Sequence, residues 1–262
     1  MSTLQRDAKL VVFLGGRNLV KSMRTPMLIM VSLLQPVIWL LLFSQIFRSL
    51  GDTEQFRSLG YHSYLEFLAP GMIVLSVLFS ALQSGMATVT DIDTGMMDKL
   101  ASSPIRRVAI LGGRAWADAI TMLAQAVIVL VVALAMGARV RTGLPGALLL
   151  LVFATLFGLV WASLSNLIAL RTRNAELTMV LGLFLTLPVL FLSSAFFPLS
   201  LQPQWLQTVA HANPASYVIT TGQQLMSTGN SWSQDLRTLV ALGVAGLVFV
   251  PAAIRAFRST AH

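Results

Sequence analysis

Cysteine is absent from this chain of 262 residues, and charged residues are scarce at 11%. The first absence excludes disulfides and thiolate chemistry. The second excludes an ordinary soluble domain, where about 25% of residues are charged. Histidine is nearly missing too. His62, His211 and His262 are not spaced as metal ligands, so no metal site is expected. No Gly-rich loop ends in Gly-Lys-Ser/Thr, so the chain cannot cradle ATP phosphates by that route. The first twenty residues lack the compact apolar core of a cleavable signal. Neither an internal repeat nor a low-complexity tract is present.

What the chain has in excess is apolar surface. Hydrophobic residues make up 56% of it, and the mean hydropathy is +0.77. Six apolar stretches stand out, at 27–47, 67–89, 117–137, 146–170, 177–197 and 238–256. About 20 apolar residues let a helix cross ~30 Å of hydrocarbon. Only helices and closed barrels satisfy their backbone there. The expected fold is therefore an all-α integral membrane protein with six transmembrane helices. Residues 1–262 form one domain, with no room for a second soluble one.

The net charge is +8. A basic balance of this kind can serve nucleic acid, but cationic loops also orient membrane helices. Of the eighteen Lys and Arg residues, thirteen fall in the N-terminal segment, the second and fourth loops and the tail. The other loops hold Arg48, Arg57, Arg139, Arg141 and Arg237. That asymmetry places both termini and the even-numbered loops in the cytoplasm, with no nucleic-acid partner.

Residues 2–24 read as an interfacial helix. Leu4, Ala8, Val11, Val12, Leu19 and Met23 recur at helical spacing, and five cations from Arg6 to Arg24 fill much of the remainder. The plain alternative is a disordered basic tail. Thr25-Pro26 ends the segment. Residues 198–237 read as an outer helical loop. Two short helices that dip into the outer leaflet meet at Asn213-Pro214, with Trp205 and Tyr217 at headgroup level. A solvated loop with scattered apolar residues is the alternative there.

The stretch 90–118 reads TDIDTGMMDKLASSPIRRVAILGGRAWAD. It is cytoplasmic by the charge rule. Asp91, Asp93 and Asp98 lie beside Lys99, Arg106 and Arg107, while Met96, Met97 and Leu100 give an apolar face at helical spacing. Pro104 ends the short helix. A charged helix with one apolar side suits docking into a partner's groove; an ordinary solvated loop is the alternative. Asp118 stands at the mouth of the third stretch, one turn after Arg114, so an i, i+4 ion pair between them is natural. Ser84-Gly85 within the second stretch does not read as a hydrolase nucleophile, because no stretch holds a histidine to act as its base.

This region resembles the cytoplasmic segment of ABC type-2 exporter permeases, in particular their daunorubicin-resistance, DrrB-like branch. The resemblance is carried by Asp91, Gly95, Asp98-Lys99-Leu100, Ser102, Pro104-Ile105, Arg107, Gly113-Arg114 and Ala117-Asp118. LQPVIWLLLF at 34–43, after Arg24-Thr25-Pro26, is similar to their first span. Phe196, Phe197-Pro198, Pro203-Gln204-Trp205-Leu206, Asn213-Pro214 and Tyr217 are similar to their signature after the fifth span. Relatives often carry an Arg about ten residues after that Asn; Gln223 and Gln224 occupy the region here.

The resemblance implies the membrane subunit of an ATP-driven exporter in a bacterial plasma membrane, not itself an enzyme. Two permeases pair, as a homodimer or with a sister chain, and two ABC ATPase subunits bind ATP and Mg beneath them. Residues 91–107 are the implied coupling region, with Asp91, Asp93, Gly95, Met96, Met97, Asp98, Lys99, Leu100, Pro104, Arg106 and Arg107 meeting the ATPase. Phe196, Phe197, Pro198, Trp205, Asn213, Pro214 and Tyr217 form the implied extracellular gate.

Polar residues inside the apolar stretches are candidates for a substrate pathway: Gln35, Gln45, Gln83, Gln125, Ser163, Asn166, Ser193 and Ser194. Bonds to neighbouring helices are their plain alternative. A pathway of amides and hydroxyls without a buried charge cluster suits amphipathic or lipid-like cargo and disfavours small ions; joined to the resemblance, the expected cargo is a hydrophobic drug, lipid or natural product. The competing function is an ion-gradient-driven secondary transporter, which calls for paired carboxylates, repeats or broken helices.

Overall fold

A computed structural model describes residues 26–96 and 107–260, together with Gly16. The interfacial helix expected at 2–24 and most of the coupling segment, including Met97, Asp98, Lys99, Leu100, Pro104 and Arg106, lie outside the described residues. Among the described residues the chain is helical and has no strand. In order it forms α1 (Pro26–Ile46), α2 (Arg48–Gly51), α3 (Glu54–Ser58), α4 (Tyr64–Asp93), α5 (Arg107–Ala135) and α6 (Gly143–Thr172). There follow α7 (Ala175–Phe191), a 3-10 turn (Leu199–Leu201), α8 (Gln204–Ala212), α9 (Pro214–Ser227) and α10 (Trp232–Thr260).

Each apolar stretch coincides with one helix: α1, α4, α5, α6, α7 and α10. By length and composition, four are able to cross a membrane: Tyr64–Asp93, Gly112–Ala135, Gly143–Thr172 and Trp232–Phe257. Ser32–Ile46 and Ala175–Phe191 are apolar but shorter. The helix starts follow local chemistry. Ser63 accepts from Leu65 N, Asn174 from Leu177 N and Asn213 from Ala215 N, so each caps an orphan donor.

α4 is the hub. Of its apolar window, 89% is buried inside the molecule, against 17% for α10. It packs against α1, α5, α6, α7 and α9. Phe67, Leu68, Met72, Ile73, Leu75 and Leu78 are fully enclosed. A helix apolar on every side belongs inside a bundle. Small residues let the neighbours come that close. A Cβ on Gly85 would lie 2.2 Å from Ser165 Oγ and 2.8 Å from its carbonyl oxygen on α6. A Cβ on Gly71 would lie 3.1 Å from the Ala195 backbone. Between helices, Trp161 Nε1 on α6 donates to Thr186 Oγ1 on α7 at 3.0 Å.

The apolar stretch 177–197 is not helical to its end. α7 stops at Phe191, and residues 192–198 are unwound although LSSAFF remains apolar. The segment holds this form because side chains, not a helix, bond its carbonyls (below). α8 and α9 then meet at Asn213.

The hub packing makes a direct prediction. Gly85→Val should lower stability by roughly 1–3 kcal/mol through overpacking, read as a reduced thermal midpoint in detergent. Gly243→Ala, with nothing within 4 Å of the added Cβ, should leave it unchanged.

Candidate functional site

Two polar groups of opposite location stand out in the apolar bundle. The first lies at the Asp91 end of α4. Ser84, Thr88 and Asp91 recur at i, i+4 and i+7 and so share one face. α5 and α6 present Arg114, Asp118 and Asn166 to that face. Ser84 Oγ donates to Asp118 Oδ2 at 2.6 Å and accepts from Asn166 Nδ2 at 3.2 Å. The Thr88 hydroxyl donates to Asn166 Oδ1. Arg114 Nη2 donates to the Ser84 carbonyl at 2.6 Å, and Nη1 to Asp91 Oδ2 at 3.1 Å.

The sequence pattern offered Arg114 a partner on its own helix, Asp118. The structure adds a closer one, while the guanidinium still acts on Asp118 through its charge. The guanidinium reaches across to Asp91, in an ion pair whose side chains are 18% and 20% exposed. The reason is geometric: Asp91 and the Ser84 carbonyl both face α5, and a guanidinium fork fits two acceptors. Asp118 instead takes the Ser84 hydroxyl. Three helices are thus bonded to one another beside the segment that follows α4. Asp91 and Asp93 occupy the last turn of α4, and Gly95 (φ 64°) closes it in the left-handed region that favours glycine. Met96 follows, half-buried, and Arg107 opens α5.

The second group lies at the Tyr64 end. Trp39 and Phe43 on α1 and Phe47, just past its end, recur every four residues. Phe196 meets Trp39 at 6.0 Å and Phe43 at 5.4 Å between ring centroids, and stacks on Phe191 at 5.1 Å. Phe197 meets Phe47 at 5.6 Å. Such contacts add about 0.5–1.5 kcal/mol per pair beyond burial. Pro198 is buried. Asn213 caps α9, while Pro214 opens it. Tyr217 donates its hydroxyl to the His211 carbonyl at 2.8 Å. Trp205, 64% exposed on α8, stands apart from the aromatic group. The neighbouring Tyr61 packs on Phe56 and Phe67, and burial raises its phenol above the ordinary value.

The polar residues of the apolar stretches are dispersed. Gln35 and Gln45 lie on the exposed side of α1, and Gln83 is half-buried on α4. Gln125, buried on α5, donates to Ser32 Oγ on α1 at 3.1 Å. Ser163 donates to Leu159 O on its own helix. Asn166 belongs to the first group. Ser193 bonds locally, to Leu190 O and Ala195 N, and Ser194 pairs with Thr220 at 3.0 Å. Among the described residues no cluster of three His, Cys, Asp or Glu could hold a metal.

Sequence reasoning missed Ser84 and Thr88 as members of the first group, and Tyr64 and Gln202 in the second. The polar stripe Ser84-Thr88-Asp91 was a visible signal. So was the aromatic stripe Trp39-Phe43-Phe47.

A multi-helix bundle with apolar outer faces, four of its helices long enough to cross a membrane, has the build of an integral membrane protein. The ABC-2 type transporter model matches residues 9–226, and the chain belongs to that family. It is a membrane permease. It is 28% identical over 232 residues to the daunorubicin resistance ABC transporter permease protein DrrB1 of Streptomyces coeruleorubidus, covering 86% of this chain and 78% of that relative. It is 30% identical to the putative transport permease ycf38 of Porphyra purpurea, over 80% of this chain and 71% of the relative. It is 26% identical to the probable doxorubicin resistance permease protein DrrC of Mycobacterium tuberculosis, over 78% and 72%.

The Arg114 geometry is testable by double-mutant cycles on thermal stability in detergent. Arg114→Ala with Asp91→Ala should show a coupling of about 1 kcal/mol, a modest value for a partly exposed pair. Arg114→Ala with Asp118→Ala should show less. A larger coupling to Asp118 would contradict the observed pairing.

Proposed function

We propose that this permease is the membrane half of an ATP-driven exporter that carries a hydrophobic or amphipathic cargo out of the cytoplasm or inner leaflet. The carrying observation is the family match over residues 9–226, in a chain without a Gly-Lys-Ser/Thr phosphate loop of its own. Energy then comes from a separate ABC ATPase, which binds the ATP and Mg. Drug-resistance permeases among the relatives favour a drug, lipid or natural product as cargo. An ion-gradient-driven transporter is not favoured: nothing in the first group pairs two carboxylates with each other.

In this reading all six apolar helices span the membrane, with α1 and α7 as the shorter spans. The chain sits in a bacterial plasma membrane. The Lys and Arg asymmetry puts both termini and the Asp91 end in the cytoplasm. Residues 91–107 then meet the ATPase, and the Ser84–Asp118–Arg114–Asp91 group transmits their displacement into α4, α5 and α6. The interfacial segment 2–24 makes a second contact with lipid and ATPase. α8, α9 and the Phe196–Phe197 aromatics form the outer gate. Two permease copies pair above two ATPase copies.

The test is co-purification with an ABC ATPase subunit co-expressed from the same organism, followed by transport in proteoliposomes. Asp91→Arg, Asp98→Arg and Met97→Asp should leave the permease in the membrane. Each should cut ATP-driven export at least tenfold, a loss of about 1.4 kcal/mol of coupling. Unchanged export in all three would defeat the coupling assignment.

A further inference from the structure

The unwound residues 192–198 carry backbone carbonyls that no helix uses. Among apolar helices such groups persist only where the protein itself bonds them. Asn213 Nδ2 donates to Val189 O and Leu192 O at 2.6 and 3.1 Å. Gln202 Nε2 donates to Ser193 O and Phe197 O at 3.1 and 2.9 Å. The Tyr64 hydroxyl donates to Phe196 O at 3.1 Å. Gln223 Nε2 donates to Ser194 O at 2.8 Å and to Phe67 O on α4 at 3.2 Å.

Gln223 differs from the other donors. It is 1% exposed, and its two N–H groups serve two different elements. Both targets are carbonyls, so only the NH2 side of the amide can face them. The backbones on either side are pressed together. A Cβ on Gly222 would lie 2.7 Å from Pro70 Cβ on α4, and Gly71 abuts the Ala195 backbone. The amide therefore reaches both carbonyls without leaving its helix.

We infer that Gln223 is a positioning residue of the gate: its buried amide fastens the unwound 192–198 segment to α4, so Phe196 and Phe197 move with α4 as one body and do not melt locally. This rests on the reading of those two phenylalanines as the outer gate. It extends that reading by naming what holds the gate shut and in which unit it moves. A donor is required at position 223, and a polar acceptor there is excluded because it would face two carbonyl oxygens.

The test uses the purified full-length permease in two ways, neither of which needs ATP or a partner. Amide hydrogen exchange reports the order of residues 192–198. Vesicles loaded with carboxyfluorescein report passive leak. Gln223→Met keeps the length and removes both donors; it should speed exchange in 192–198 and raise leak about tenfold or more, while exchange in the middle of α4 is unchanged. Gln223→Glu keeps the size but replaces the amide donor with a carboxyl group, and should move both readouts in the direction of Gln223→Met. Where Gln223→Met does not fold, Gln202→Met removes the Ser193 and Phe197 bonds and should move both readouts in the same direction. Unchanged exchange overturns the fastening role. Faster exchange without leak overturns the gate role, and a Gln223→Glu that matches the parent overturns the need for a donor. Loss of ATPase co-purification would instead strike the functional reading.

Discussion

A backbone carbonyl inside an apolar bundle has no water to bond, so it must find a partner in the protein or stay in a helix. Most of this structure obeys by remaining helical. In the one marked departure within an apolar stretch, residues 192–198, side-chain donors from α4, α9 and its cap, and the turn before α8 meet the carbonyls of Leu192, Ser193, Ser194, Phe196 and Phe197. The departure and its donors define each other. Without the donors the segment would extend α7; with them it places Phe196 and Phe197 against the α1 aromatics.

The opposite end of the bundle meets the same constraint with charge. An arginine beside apolar helices is costly unless its donors are used. Arg114 places its two terminal nitrogens on Asp91 and the Ser84 carbonyl, and Asp118 and Asn166 close the group through the Ser84 hydroxyl. Because α4 spans both ends and contacts α1, α2, α5, α6, α7 and α9, a displacement at Asp91 and one at Tyr64 belong to the same rigid element. Close packing at Gly85 and Gly71 reinforces this, since a well-packed interface transmits strain instead of absorbing it. α10, mostly exposed, is the natural lipid-facing edge.

Much of the architecture was legible because hydropathy reports helices well: the six apolar runs coincide with α1, α4, α5, α6, α7 and α10. The break at Asn213-Pro214 was legible from capping chemistry and from proline's place at the start of a helix. The unwinding after Phe191 was not, because Leu192, Ala195, Phe196 and Phe197 continue the apolar run past Ser193 and Ser194 and the four donors lie elsewhere in sequence. Arg114 shows the same limit of local pattern. Spacing along one helix offers Asp118, but the choice of Asp91 depends on which face of α4 lies opposite. Gln223 presents two donors, and its targets are backbone carbonyls within the protein.

In the proposed orientation the Asp91 end faces the cytoplasm and the ATPase, and the Phe197 end faces outward. The natural lack of cysteine makes a clean measurement available: Asp93→Cys and Trp205→Cys, each labelled with a membrane-impermeant maleimide on intact cells and on inverted vesicles. Position 205 should label from outside only and position 93 from the cytoplasmic side only, with protection of position 93 when the ATPase is bound. The reverse accessibility, or labelling of both positions from one side, would contradict that orientation.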